Sequence, residues 1–222
     1  SWVSFYEYVN YTYRDKYLFS ASVSLDGSSR LGRNAKKTVK LTDVPFGFFY
    51  GAGIGWRISN ESFMINTSWL DELKFRLTYG TTGNDDIGEL NAINYYRAIK
   101  YRETVGLFPA TIPNDKLTFE NVTQLNGGLD ISLLGSRFSA NVDVYQSVTN
   151  NVFTYTPIEV YYGYGQKPEN SGEIQNTGID LGIFMRMFDK SAFTWDIQMT
   201  VSRLKNEITE MKADKLVTEL EG

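Results

Sequence analysis

Ile179-Asp-Leu-Gly-Ile-Phe-Met-Arg-Met187 and, five residues beyond Phe188, Phe193-Thr-Trp-Asp-Ile-Gln-Met-Thr-Val-Ser202 decide how this chain is read. In both stretches large apolar side chains occupy every second position. Between them stand Asp180, Gly182 and Arg186 in the first, and Thr194, Asp196, Gln198 and Thr200 in the second. Successive side chains on a strand point to opposite faces, so each stretch makes a ribbon with one oily and one polar face. The intervening Asp189-Lys190-Ser191 is short enough to be a hairpin turn.

The same period of two recurs toward the N-terminus. It appears in 17–26 (Tyr17, Phe19, Ala21, Val23, Leu25 against Ser20, Ser22, Ser24, Asp26), in 46–57, 74–80, 125–133 and 138–144. In 46–57 the oily positions Phe46 to Trp56 alternate with a row of glycines at 47, 51, 53 and 55. A ragged strand with tyrosines on both faces is expected at 3–13. The fold class is therefore all-β: an antiparallel meander of about eight strands. Short connections at 14–16, 134–136 and 189–191, with a medium one at 58–69, alternate with long ones at 27–45, 83–116 and 151–172. All long loops then gather at one end of the sheet.

A soluble β-sandwich and a membrane barrel share this alternation. Three features favour the barrel. Five apolar positions at every second residue span ~10 residues, enough at a ~45° tilt for a membrane crossing, whereas sandwich strands run ~5–6 residues. Aromatics (Tyr13, Tyr17, Trp56, Phe63, Trp69, Phe138, Phe188, Phe193, Trp195) gather near the short turns, as an interfacial girdle requires. The loops are long on one side only, and a structureless loop of about 30 residues is unusual in a compact soluble domain.

Composition narrows the function. The 222 residues contain neither Cys nor His, which excludes disulfides, Cys/His zinc sites and His-based catalytic triads within the chain. A net charge of −4 argues against a nucleic-acid partner. No apolar run reaches the ~18–20 residues of a membrane helix, and no signal peptide opens the chain. Aromatics are plentiful, with 15 Tyr, 14 Phe and 4 Trp.

Beyond pattern, five segments resemble, in order, the SusC/RagA family of TonB-dependent outer-membrane transporters of the Bacteroidota. These are Tyr13 through Asp26-Gly-Ser-Ser-Arg-Leu-Gly32; Gly53-Ile-Gly-Trp-Arg-Ile-Ser59 with Glu61-Ser-Phe-Met64; Trp69 through Tyr79-Gly-Thr-Thr-Gly-Asn84; Leu117-Thr-Phe-Glu120 through Gln124-Leu-Asn-Gly-Gly-Leu-Asp130; and Asn170-Ser-Gly-Glu-Ile-Gln-Asn-Thr-Gly-Ile-Asp180. Leu31, Phe119 and Asp180 depart mildly from the family pattern of Phe, Trp and Glu. The resemblance implies a 22-stranded barrel of which 1–222 is an internal part, lacking plug domain and C-terminal strands. It implies import of oligosaccharides or peptides, no enzymatic activity and no cofactor. The implied partners are a SusD/RagB-like surface lipoprotein, TonB acting through the missing plug, and outer-membrane lipid.

Candidate substrate contacts are loop tyrosines, whose rings stack and whose hydroxyls hydrogen-bond: Tyr95 and Tyr96 in 83–116, and Tyr161, Tyr162 and Tyr164 in 151–172. On the polar face, Arg57, Lys74, Arg76 and Arg186 with Asp26, Asp130, Asp143, Asp180 and Asp196 either line a passage or pair across strands. Asn84-Asp-Asp86 lacks the spacing of a calcium loop and reads as a solvated turn, so no metal is expected. Asp26-Gly27 reads as a turn. The triplets Asn10-Tyr-Thr12, Asn60-Glu-Ser62, Asn66-Thr-Ser68 and Asn121-Val-Thr123 match the glycosylation acceptor pattern only formally in a bacterial outer-membrane protein. The glycine row is read as letting another body approach the wall.

Overall fold

A computed structural model describes every residue except 37, 42–43, 111, 159–163, 191 and 212–222. Among the described residues there are eleven strands: β1 Trp2–Tyr13, β2 Tyr17–Ser28, β3 Thr38–Leu41, β4 Val44–Arg57, β5 Leu70–Asn84, β6 Tyr96–Tyr101, β7 Thr104–Pro109, β8 Glu120–Leu133, β9 Phe138–Pro157, β10 Gln166–Lys190 and β11 Phe193–Met211. Eight of them form an antiparallel meander in the order β1-β2-β4-β5-β8-β9-β10-β11, with β3 paired to β4. β6 and β7 make a separate two-stranded ribbon. Each expected strand exists.

The strand ends and loops need correction. Asp26-Gly27 is not a turn: both residues stay in β2, opposite Ser4 and Val3 of β1 and Gly47 and Phe46 of β4. The loop at 27–45 contains β3, and that at 83–116 contains the β6–β7 ribbon. The segment 151–172 is mostly strand, with β9 and β10 running to Pro157 and from Gln166. Polar residues such as Asn151 and Glu169-Asn170-Ser171 break the oily and polar alternation there, so it does not mark the segment. Ladder pairing holds them extended despite their low β-propensity.

One face of the meander is oily and uncovered. The row Ile54, Leu77, Gly127, Val144, Ile179 is carried straight across five strands by the register, and Ile54, Val144 and Ile179 are each 45–52% exposed. Along β11 the stripe Trp195, Ile197, Met199, Val201 gives way to Arg203, Lys205 and Glu207 at the same parity. The next row, Lys205, Thr177, Gln146, is polar as well, so the oily band has a defined upper border there. The 25 residues of β10 span about 80 Å, far more than the ~25 Å apolar band of an outer membrane. The sheet therefore continues well past that border toward the long loops. No second layer of described residues packs on the stripe, which removes the β-sandwich reading. Among the described residues no helix is long and apolar enough to cross a membrane; crossing falls to the strands.

The buried apolar core lies at the long-loop end, not mid-sheet. Leu31, Phe49, Ile87, Ala92, Leu117 and Phe119 form it, with Phe153 against it. Phe49 and Phe119 meet edge to face at 5.4 Å. A core under loops fixes the loops; the membrane-level wall has no need of one.

The short turns follow from backbone chemistry. Arg14 and Asp15 both sit in the left-handed region (φ 51° and 55°), the signature of a tight hairpin whose twist matches the strands. Leu134, Gly135 and Ser136 do the same between β8 and β9.

Candidate functional site

Three assemblies stand out, and they follow one another along the strand direction. At the short-turn end, Glu61 lies between two single turns of 3₁₀ helix, Ile58–Asn60 and Ser62–Met64. Its carboxylate accepts bonds from Lys16 Nζ (2.9 Å), the Tyr17 hydroxyl (2.7 Å) and Trp56 Nε1 (3.1 Å). The Lys16 bond, then those from Tyr17 and Trp56, hold its pKa down at about 2. One carboxylate thereby locks three girdle-level side chains from two hairpins. Arg57 and Asn60 reach Asp15 alongside it.

Mid-sheet, the polar face carries cross-strand ion pairs. Arg76 grips Asp130 through Nε (2.8 Å) and an Nη (2.9 Å), and reaches Asp143 at 3.2 Å. Lys74 lies 3.5 Å from Asp130. The guanidinium crosses Gly128, where a Cβ would stand 2.7 Å from Arg76 Cζ and 2.6 Å from Asp143 Oδ1. A glycine is required there by the ion pair, not by backbone conformation. Arg186 pairs with Asp196 at 3.0 Å, and Asp26 with Ser24 and Ser4. Arg57, Lys74, Arg76 and Arg186 thus all pair, as does every polar-face aspartate except Asp180, which stands opposite Asp143 and Ser202. Shallow hollows lie along this face, one of them lined by Ser132, Ser139, Asn141, Asp180, Gly182 and Gln198.

At the long-loop end the loops form a hydrogen-bonded platform. Gly32 and Asn34 donate backbone N–H bonds to Leu117 and Asp115. The Asn170 amide accepts from Thr118 N (2.9 Å) and donates to the carbonyls of Thr118 (3.1 Å) and Asn151 (2.8 Å). Asn114 Nδ2 donates to the Pro168 carbonyl at 2.9 Å. Glu120 ties the Phe153 N–H (2.8 Å) to Asn84 Nδ2 (2.7 Å). Asp85 accepts from the Ser28 hydroxyl (2.6 Å), and Asp86 N–H donates to Asn84 Oδ1, so 84–86 is the expected turn. Among the described residues no acidic cluster could hold a metal. The glycine row is explained in part by this platform: at Gly47 the approaching body is the Phe119 ring, 2.7 Å from an ideal Cβ.

Of the candidate tyrosines, Tyr161 and Tyr162 lie outside the described residues. Tyr95, Tyr96 and Tyr164 come together at the base of the β6–β7 ribbon. The Tyr95 carbonyl accepts from Ala110 N (3.0 Å), Tyr96 pairs with Pro109, and the Tyr164 hydroxyl donates to the Pro109 carbonyl at 3.2 Å. The Tyr164 ring packs 6.0 Å from Phe108. Sequence reasoning missed the platform and the cavity within it, although Leu117, Glu120 and Asn170, quoted above as motif residues, are the side chains that build it.

A meander with an uncovered oily stripe, a girdle at one end and a polar inner wall is part of a transmembrane β-barrel. The chain belongs to the TonB-dependent receptor-like β-barrel family, whose model matches residues 3–216. It is 32% identical over 94% of its length to TonB-dependent receptor P39 of Formosa agariphila, and 29% identical over 94% to TonB-dependent receptor SusC of Bacteroides thetaiotaomicron. The solved RagAB peptide transporter superposes with a TM-score of 0.84 at 29% identity over 95% of this chain, and the open-open state of the RagAB peptide importer with 0.83. The chain spans about a fifth of these relatives, 19% and 21% of the two receptors and 22% of the transporter chain.

Proposed function

We propose that this chain supplies part of the barrel wall and the outer loop platform of an outer-membrane importer that is driven through TonB and is not an enzyme. The observation that carries this reading is the division of the sheet: an uncovered oily face for lipid, a polar face with most of its charges paired, and a platform of long loops at one end. The short-turn end faces the periplasm and the long-loop end the exterior. Among the described residues no strand pairs with the outer edge of β1 or of β11. Backbone groups in hydrocarbon must all be bonded, so those edges take further strands of the same barrel, which also encloses a plug that TonB pulls. The cargo is an oligosaccharide or a peptide. A surface lipoprotein of the SusD/RagB kind seats on the loops, and Tyr95, Tyr96, Tyr161, Tyr162 and Tyr164 contact cargo or this lid.

The experiment is uptake. Host cells with the gene deleted are given fluorescent oligosaccharide and peptide mixtures, with and without a plasmid copy and with and without an energised inner membrane. Plasmid- and energy-dependent accumulation of one class is expected. Equal accumulation in all arms overturns the reading. Co-purification of a lipoprotein with the affinity-tagged protein tests the partner.

A further inference from the structure

We propose that the cavity in the loop platform is a binding site for the anionic part of a short acidic oligomer. This rests on the import reading and deepens it by naming the charge of the cargo. The cavity holds about 550 Å³, within the range of pockets that enclose small ligands. It lies between Gly47 and Phe49 of β4, the segment Asn114–Phe119, Asn151 of β9 and the start of β10.

Its charge departs from that of the chain. The chain carries a net −4, yet the charged residues lining the cavity are Lys36, Lys116, Lys167 and Glu169. Lys167 and Glu169 pair at 3.0 Å. Lys36 and Lys116 make no ion pair among the described residues, whereas Arg57, Lys74, Arg76 and Arg186 on the wall are each matched by a carboxylate. Two unneutralised ammonium groups beside one concave space attract an oxyanion.

Asn121 is among the lining residues, and its side-chain oxygen lies shut off from solvent beneath that surface with no hydrogen-bond partner among the described residues. The walls are preformed. The Asn170 amide ties the segment above it to β9 and β10, and Asn114 ties it to Pro168. Asn151 stands in the left-handed region (φ 58°) at a β-bulge that breaks the β9–β10 register beside the cavity, a distortion of the kind found next to binding sites. The ligand therefore carries a carboxylate or sulfate. An acidic saccharide and an acidic peptide both supply this chemistry.

The test is titration calorimetry on the detergent-purified protein as its gene encodes it, with four probes: a uronic-acid trisaccharide, maltotriose, tri-glutamate and tri-alanine. Binding of one acidic probe is expected, at least about tenfold tighter than its neutral counterpart and weakened by salt; which acidic probe binds identifies the source. Lys36→Gln with Lys116→Gln is expected to cost that probe about tenfold, while Lys36→Arg with Lys116→Arg retains it. Equal affinity for acidic and neutral probes, binding of neither acidic probe, or indifference to the glutamine variants overturns the inference. Should the glutamine pair fail to fold, by loss of its heat-modifiable gel mobility, the salt dependence of the unaltered protein decides in the same way. An acidic probe that binds but is not taken up by cells leaves this inference standing and removes the import reading.

Discussion

At the scale of single residues, Glu61 gives the clearest expectation. A carboxylate whose folded pKa is lowered from 4.5 to about 2 stabilises the fold above pH 4.5, and that contribution is lost as pH falls toward 2. Glu61→Gln is expected to lower the thermal midpoint at pH 7. The gap from the unaltered protein should close between pH 4.5 and 2 in an acid-unfolding series followed by Trp fluorescence; a gap of constant size down to pH 2 would deny the lock. Arg76 tests the inner wall. Arg76→Met leaves Asp143 and Asp130 without their shared guanidinium, and because the side chains are partly solvated a loss of about 1–2 kcal/mol is expected in urea-refolding equilibria. Gly128→Val should cost at least as much without touching a charge, since its Cβ enters the space of the guanidinium. The two effects should not add in the double variant.

At the scale of elements, the two faces of a strand should answer oppositely to the same change. Leu77 lies on the oily face of β5 and Thr78 on the polar one. Leu77→Arg is expected to cost about 2–4 kcal/mol in refolding into lipid vesicles, and Thr78→Arg close to nothing. The alternation that makes this argument was legible in the sequence wherever one face meets hydrocarbon, as in 17–26 or 193–202. It was not legible where both faces meet water. The upper halves of β9 and β10 carry Asn150, Glu169, Asn170 and Ser171, chosen for bulges and clamps, and they read as loop. β6 and β7 were invisible for a related reason: every described β7 residue is exposed, so no burial pattern marks the ribbon. Its order rests partly on Tyr164, whose ring meets Phe108. Tyr164→Ala is expected to raise amide exchange across 96–109 and leave β8 to β11 protected, read by hydrogen-exchange mass spectrometry.

At the scale of the whole molecule, the candidate site was partly legible. The quoted motif residues around Leu117, Glu120 and Asn170 proved to be the fasteners of the loop platform, yet nothing local shows that segments some fifty residues apart enclose a cavity. Hydrophobic burial is spent at the loop end, where geometry must be held, while the membrane-level wall relies on ladder bonds and on lipid. That division is the central claim. The most direct measurement places single spin labels in the protein in lipid vesicles, at Ile54→Cys, Ile183→Cys and Met199→Cys on one face and at Ser20→Cys, Thr78→Cys and Gln198→Cys on the other, and compares collision with oxygen and with a water-soluble nickel chelate. The first three should be mobile, open to oxygen and shielded from nickel, and the second three the reverse. Immobile labels shielded from both reagents at 54, 183 and 199 would place protein, not lipid, against that face and contradict the account.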